Sequence, residues 1–171
     1  MERAVHRRSL VLAALALSCT SATRATATSA SPTILTLQGH LLRHQGGTPP
    51  TYRLSEAELL ALPTRHITTS TPWTPRRIFA GPALADVLSY VRAQPGTLNL
   101  QALNDYRVSI PWHDMAHYGV ILAHSADGQR MVRKDFGPLW LIYPRDQYPD
   151  ELDGPAARAK SIWQVQTIEV Q

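Results

Sequence analysis

The chain has 171 residues, of which 44% are hydrophobic and 18% charged, a composition that excludes a disordered or fibrous protein and predicts one globular domain. Its net charge of +4 and pI of about 9.6 come mainly from the first thirty positions, which hold four basic residues and one acidic residue. Residues 31–171 therefore hold 13 basic and 12 acidic residues. Such a nearly neutral domain offers no basic face for phosphates, so we expect no nucleic-acid partner.

The N-terminal segment has the pattern of an export signal. Arg7 and Arg8 precede an apolar run at 10–17, which is too short to span a membrane and has the length of a signal-peptide core. Small residues at 25–27 form a cleavage site. We expect a signal peptide at 1–27, a flexible leader at 28–32 and a domain at 33–171, located in the periplasm without a transmembrane segment.

The export route stays open at this point. Arg7 and Arg8 resemble a twin-arginine signal, although His6 stands where Ser or Thr is usual, and the general secretory route is the alternative. Acylation of Cys19 is less favoured because Ala16 replaces the usual lipobox Leu. Cys19 is the single cysteine, so the mature domain has no thiol nucleophile, disulfide or thiolate ligand.

The first part of the domain predicts one strand and two helices. A β-branched and leucine run at 33–37 predicts a strand, and Gly and Pro residues at 44–50 predict a loop. Ser55 and Glu58 form a capping box that predicts a helix stopped by Pro63. A second helix is predicted at 82–91, with Pro82 in its first position.

The second part predicts mainly strands. Alternating residues at 98–102 and 106–110, joined by an Asn104-Asp105 turn, predict a hairpin, followed by one helical turn at 111–117. Further expected elements are a buried strand at 120–123, a turn at Asp127-Gly128, a buried strand at 139–143, a long polar loop at 145–159 and a final strand at 162–170. The predicted fold class is α+β, strand-rich with a few short helices.

Two groups of residues are weak candidates for metal binding. His113 and His117 are spaced to share one helical face, but the sequence identifies no third ligand, and a solvated pair is the alternative. The acidic residues at 146–153 lack the spacing of a calcium loop, so a solvated loop is expected there. Serine-hydrolase, nucleotide and dinucleotide motifs are absent from the sequence.

The turn of the predicted hairpin concentrates polar and aromatic side chains, namely Asn104, Asp105, Tyr106, Arg107 and Trp112. Loops held by a rigid sheet often carry binding residues, so this group is a candidate wall of a cleft. The alternative is a turn in which Asn and Asp satisfy local backbone groups.

An ordered series of landmarks runs through the domain. It consists of Leu54–Pro63, Trp73, Phe79–Leu88, Ala102–Tyr106, Ile110-Pro111, Ala123, Asp127-Gly128, Gly137–Pro144, Ser161–Trp163 and Ile168–Val170. In this order the segments resemble the molybdopterin-binding domain of the sulfite oxidase family, in the branch of short exported proteins that contain this domain alone. The resemblance covers about Leu35 to Val170. It implies a mixed α+β fold in which a molybdenum-bearing pterin lies in a polar cleft among loops.

The chain departs from the family at the residues that hold the cofactor. The family's metal-binding cysteine is absent from the interval 66–81. The candidate replacements for it there are side-chain hydroxyls, and an alcohol is a much poorer metal ligand than a thiolate. Trp140 occupies a position that is basic in the family, and Ile162 stands where a lysine often precedes the tryptophan. Arg76, Arg77 and Arg107 are candidate replacements for these cationic contacts.

The resemblance and its departures leave two hypotheses. The first is an exported pseudoenzyme that kept the cleft, lost the metal ligand, and binds a small molecule or an envelope partner such as a membrane sensor. The alternative is a molybdopterin-dependent oxidoreductase that transfers oxygen atoms with a non-cysteine metal environment. The candidate cleft residues are Ser70, Thr71, Trp73, Arg76, Arg77, Asn104, Asp105, Tyr106, Arg107 and Trp140.

Overall fold

Residues 31–171, the part of the chain that the computed structural model describes, form three β-sheets and five short α-helices. The predicted signal peptide lies outside the described residues. The strands are β1 Thr33–Gly39, β2 Thr51–Ser55, β3 Thr64–Thr69, β4 Arg77–Pro82, β5 Thr97–Ala102, β6 Arg107–Pro111, β7 Ile121–Ala123, β8 Ser125–Ala126, β9 Gln129–Arg130, β10 Trp140–Ile142 and β11 Val165–Val170. The helices are α1 Glu56–Ala61, α2 Leu84–Tyr90, α3 His113–Tyr118, α4 Pro149–Leu152 and α5 Pro155–Lys160, with 3-10 turns at Arg133–Asp135 and Arg145–Gln147.

The largest sheet has the strand order β2-β1-β11-β5-β6. Strands β1 and β11 are parallel, with Leu37 opposite Ile168, and the other neighbours are antiparallel. Alternate side chains of these strands are buried, as expected for a sheet with one face on the core. The same core includes Leu59 of α1 and Leu84 of α2.

A smaller second core lies between the sheet β3-β4-β8-β9 and the pair β10-β7. Phe79, Ile121 and Trp140 are fully buried in it. Strand β4 approaches β7 so closely that a Cβ on Gly81 would lie 2.0 Å from the carbonyl oxygen of Leu122. Only glycine permits this approach, which brings the two small sheets together.

Several local predictions are confirmed. Ser55 and Glu58 form the capping box, since the Ser55 hydroxyl accepts from the Glu58 amide and the Glu58 carboxylate accepts from the Ser55 amide. The hairpin β5–β6, with Asp105 at a φ of 65° in its turn, and the short hairpin β8–β9 around Asp127-Gly128 are also present. These features depend on residues close in sequence, which is why the pattern predicts them.

Other predictions are wrong in their bounds. Pro82 is the last residue of β4, and α2 starts at Leu84 and ends at Tyr90. The final strand starts at Val165, and Trp163 instead makes an isolated bridge with Trp140. Ser31 and Pro32, which precede β1, accept hydrogen bonds from the first amides of α1.

The segment predicted as a long polar loop at 145–159 is largely helical. It contains the 3-10 turn Arg145–Gln147, α4 and most of α5, and both α-helices begin with proline in the first turn. Pro at this position loses no hydrogen bond, because the first amides of a helix have no partner within it. Strands β2, β3 and β4 were not predicted from the sequence.

Candidate functional site

A cleft of about 440 Å³ lies beside the turn of the β5–β6 hairpin. Its lining residues are Pro72, Trp73, Ala102, Asn104, Tyr106, Pro155, Arg158, Ala159, Ser161, Ile162 and Trp163. Most of them are apolar or aromatic, with a few polar groups among them. This size and chemistry are typical of a site for a small organic molecule.

The aromatic side chains of the cleft are held in place by neighbours. Trp73 packs edge-on against Trp163, with ring centroids 4.4 Å apart, and lies 6.1 Å from the buried Trp140. Tyr106 donates a hydrogen bond of 3.1 Å from its hydroxyl to the carbonyl oxygen of Ala159. Trp73 and Tyr106 nevertheless remain 43% and 44% exposed. The cleft thus presents aromatic surface that the fold fixes but does not cover.

Helix α5 forms one wall of the cleft and is attached at its C-terminal end. The indole nitrogen of Trp140 donates to the hydroxyl of Ser161 at 3.2 Å, and Lys160 forms an ion pair with the buried Asp114. Asp114 also accepts from the Tyr143 hydroxyl at 2.9 Å. Burial and the Asp114 charge raise the pKa of Tyr143, so the tyrosine stays protonated as a donor.

Ser70 lies in a small pocket that shares Pro72, Arg158 and Ser161 with the cleft. Its hydroxyl donates to Asp146 at 2.6 Å and accepts from Arg145 at 3.1 Å. The Ser70 hydrogen bonds are the largest cause of the lowered pKa of Asp146. Asp146 therefore remains an ionised acceptor, and its lowered pKa makes it too weak a base to convert the Ser70 hydroxyl to an alkoxide.

Arg145 and Arg158 share one carboxylate. Both guanidinium groups contact Oδ1 of Asp153, and Arg158 also donates from Nε to the Asp153 backbone oxygen at 2.9 Å. The two arginines hold the pKa of Asp153 below its usual range. Among residues 31–171, Arg158 is the one charged side chain that lines the cleft.

Six of the ten predicted site residues lie in the cleft or directly beside it, and four lie elsewhere. Trp73, Asn104 and Tyr106 line the cleft, Trp140 packs behind Trp73, and Ser70 and Thr71 line the adjoining small pocket. The remaining four do not line the cleft: Arg76 lies 3.8 Å from Asp146, Arg77 pairs with Asp127 at 2.6 Å, Asp105 accepts from Gln101, and Arg107 is exposed on β6.

Sequence reasoning missed the wall formed by Pro155, Arg158 and Ala159. The polar composition of 145–159 predicts a loop, and the sequence therefore assigns no side chain of this segment to the cleft. Gly154 followed by Pro155 and the alanine-rich run after it are typical of a helix start, and this signal would have located α5.

The two candidate metal-binding histidines contact different carboxylates. His113 lies 3.2 Å from Asp114, and His117 lies 3.4 Å from Glu151. Within residues 31–171 no three His, Cys, Asp or Glu side chains are grouped so as to hold a metal ion.

The residues beside the cleft do not fit a molybdenum ion ligated by the protein. The described residues contain no cysteine, and the hydroxyls of Thr69, Ser70 and Thr71 are all used in hydrogen bonds to their surroundings. Thr71, for example, caps the turn at 71–74 by accepting from the Thr74 amide at 2.9 Å. A neutral alcohol in such a network is a poor metal ligand.

No protein-family model and no curated protein matches the sequence. Solved structures do match in fold. One is the crystal structure of the sulfane dehydrogenase SoxCD from Paracoccus pantotrophus, which aligns with 80% of this chain at a TM-score of 0.56 and 16% identity. The chain spans 37% of that matched chain. At this identity the similarity shows an α+β fold alone, and the site must be judged from its own residues.

Among the described residues, no helix has both the length and the apolar character needed to cross a bilayer.

Proposed function

We propose that this chain is an exported protein of the cell envelope that binds a small organic molecule in the aromatic cleft. On this proposal it has the sulfite oxidase-type domain fold without a protein-ligated metal. It acts as a ligand-binding or accessory protein, for example as one whose ligand-bound form is recognised by an envelope partner. The fold similarity to a sulfane dehydrogenase supports the assigned fold. The hydrogen-bonded hydroxyls beside the cleft support the absence of a metal ligated by the protein.

The observation that carries the proposal is the contrast between the cleft and the Ser70 pocket. The cleft has about 440 Å³ of accessible space between rigid aromatic walls, whereas the pocket around Ser70 has about 20 Å³. The Ser70 hydroxyl at that pocket already donates to Asp146 and accepts from Arg145. The space is therefore suited to an organic ligand and not to a metal bound at Ser70.

Metal analysis tests the absence of a resident molybdenum. The full chain is produced in a host that makes molybdopterin and in a matched host that does not, and the purified proteins are assayed for molybdenum by mass spectrometry and for pterin by fluorescence after oxidation. We expect less than stoichiometric metal and the same unfolding temperature from both hosts. Stoichiometric molybdenum would overturn the proposal in favour of the oxidoreductase.

A fragment screen tests the cleft. Backbone amide NMR spectra of the full chain are recorded with a set of small organic fragments, and the shifted resonances are mapped. We expect the shifts to concentrate at cleft residues and to be lost in Trp73→Ala but kept in Leu42→Ala, which alters an exposed side chain outside the cleft. Shifts that avoid the cleft in the parent protein would contradict the proposal.

A further inference from the structure

We infer that the ligand of the cleft is a planar aromatic carboxylate, stacked on the rings of Trp73 and Tyr106 and paired with Arg158. The inference rests on the proposed function and specifies the chemical class of its ligand.

The aromatic part of the inference follows from two exposed rings in one cleft. Large aromatic side chains are usually covered, yet Trp73 and Tyr106 are each almost half exposed while their positions are fixed by Trp163 and by the Ala159 carbonyl. A fixed ring loses little conformational entropy when a ligand stacks on it. Flat ligands make use of such surfaces better than bulky saturated ones, because ring faces are planar.

The charge part follows from the single charged residue that lines the cleft in the described chain. Arg158 and Arg145 together place two guanidinium groups on the one carboxylate of Asp153, so one positive charge is left over. The hydrogen bonds of Arg158 to described residues use Nε and Nη2, which leaves Nη1 for a ligand. A guanidinium binds carboxylate oxygens with directional, charge-assisted hydrogen bonds, so a monoanion matches the site.

Asn104 adds a neutral donor to the lining of the cleft. Its side-chain oxygen accepts from the Tyr106 amide at 3.2 Å, and its amide nitrogen donates to no residue of the described chain. No carboxylate lines the cleft within residues 31–171, and the Asp153 carboxylate that contacts Arg158 is shared with Arg145. The lining thus combines hydrogen-bond donors with aromatic faces.

Three probes of similar size test the inference. Binding of 2-naphthoate, 2-naphthylmethanol and decahydro-2-naphthoate to the full chain is measured by isothermal titration calorimetry; the second probe lacks the charge and the third lacks the flat rings. We expect 2-naphthoate to bind at least about tenfold more tightly than either control, because the alcohol cannot form the charge-assisted hydrogen bond and the saturated acid cannot stack on the rings.

Variants separate the two contributions. Arg158→Gln is expected to reduce naphthoate affinity to that of the neutral alcohol, whereas Arg158→Lys keeps part of the preference and Arg53→Gln, an exposed arginine on β2, keeps all of it. Trp73→Leu is expected to remove the preference for the flat acid over the saturated acid. Circular dichroism of each variant checks that it is folded.

The outcomes distinguish this inference from the proposed function. If the alcohol or the saturated acid binds in the cleft as tightly as naphthoate, the cleft is a binding site but the ligand class is wrong. Binding that is unaffected by Arg158→Gln also overturns the inference. If no probe binds and the fragment screen leaves the cleft resonances unshifted, the proposed function fails with it.

Discussion

Lys160 donates a hydrogen bond of 2.7 Å to the carboxylate of Asp114 and so joins the end of α5 to α3. The Asp114 side chain is 1% exposed, so the ion pair is largely desolvated on its acidic side. Because Ala159 and Arg158 precede Lys160, this pair also holds the wall of the cleft. The first prediction concerns its removal.

Replacing Lys160 by Met leaves the Asp114 charge buried with fewer donors, and we expect it to lower the free energy of unfolding by about 3 kcal/mol. Asp114→Asn in the same chain removes that charge and should restore part of the loss. Urea unfolding of both single variants and the double variant measures the coupling. Lys134→Met, at an exposed lysine, is the control, and an equal effect there would contradict the role of the pair.

The second prediction concerns the hydroxyl of Tyr106, which joins the hairpin turn to α5. Tyr106→Phe removes its hydrogen bond to Ala159 and should lower stability by about 0.5–1 kcal/mol while hydrogen exchange at 155–160 becomes faster. Tyr148→Phe is the matched control, because its hydroxyl lies 3.5 Å from its acceptor, too far for a strong bond. Unchanged exchange in α5 after Tyr106→Phe would disprove the link.

The third prediction separates stability from binding at two neighbouring tryptophans. Trp140 is fully buried between Phe79 and Phe136, so Trp140→Ala should lower the free energy of unfolding by about 3–5 kcal/mol. Trp73 is nearly half exposed, and Trp73→Ala should cost less than about 2 kcal/mol but abolish fragment binding. Urea unfolding and the fragment screen measure the two effects. A larger loss of stability for Trp73 would contradict the assignment.

The fourth prediction concerns acid stability. Hydrogen bonds from Ser55 and then Tyr52 are the main causes that lower the pKa of Glu58 from 4.5 to about 2. A carboxyl whose pKa is lowered by folding stabilises the protein above its unfolded pKa, and the stabilisation is lost as the pH falls from about 4.5 towards 2. Glu58→Gln should therefore cost about 1–2 kcal/mol at pH 7 and little at pH 2.

Urea unfolding at pH 7, 4, 3 and 2 measures this dependence. Glu169→Gln is the control, since the Glu169 side chain forms no hydrogen bond or ion pair with another described residue. A Glu58→Gln variant that keeps the full pH dependence of the parent between pH 4.5 and 2 would show that this carboxyl does not cause it.

The fifth prediction concerns the N-terminal segment. We expect the protein in the periplasmic fraction with Thr28 as its first residue, as measured by N-terminal sequencing and intact mass. Replacing Arg7 and Arg8 together by Lys blocks export only if the route depends on twin arginines. An acylated chain that begins at Cys19 and sediments with membranes, or an unprocessed chain in the cytoplasm, would contradict the predicted cleavage.

Local sequence signals predicted the capping box and both hairpins because each depends on residues within a few positions. Strands β3 and β4 were missed for physical reasons. The first three residues of β3 are charged or polar and exposed, and only then comes the buried Ile67. Strand β4 ends in Gly81-Pro82, a pair that resembles a helix start. Long-range pairing overrides such local preferences.

The candidate site was predicted in part. The turn residues Asn104 and Tyr106 and the aromatic Trp73 follow from sequence pattern and resemblance, and the structure places them in one cleft. Arg158 was missed because only folding brings residues 155–163 against the hairpin turn, more than fifty positions earlier. The arginines at 76 and 77 were assigned by charge alone, and both pair with carboxylates that sequence order does not indicate.

The position of β11 in the large sheet has a consequence for biosynthesis. The pairs β1–β2 and β5–β6 each form between neighbouring segments, whereas β11 lies between the two pairs and joins them. Until residue 170 has left the ribosome, β1 and β5 each present an unpaired edge, a form of backbone that readily associates with other chains. The nascent protein is therefore expected to depend on chaperones that shield these edges until β11 has left the ribosome.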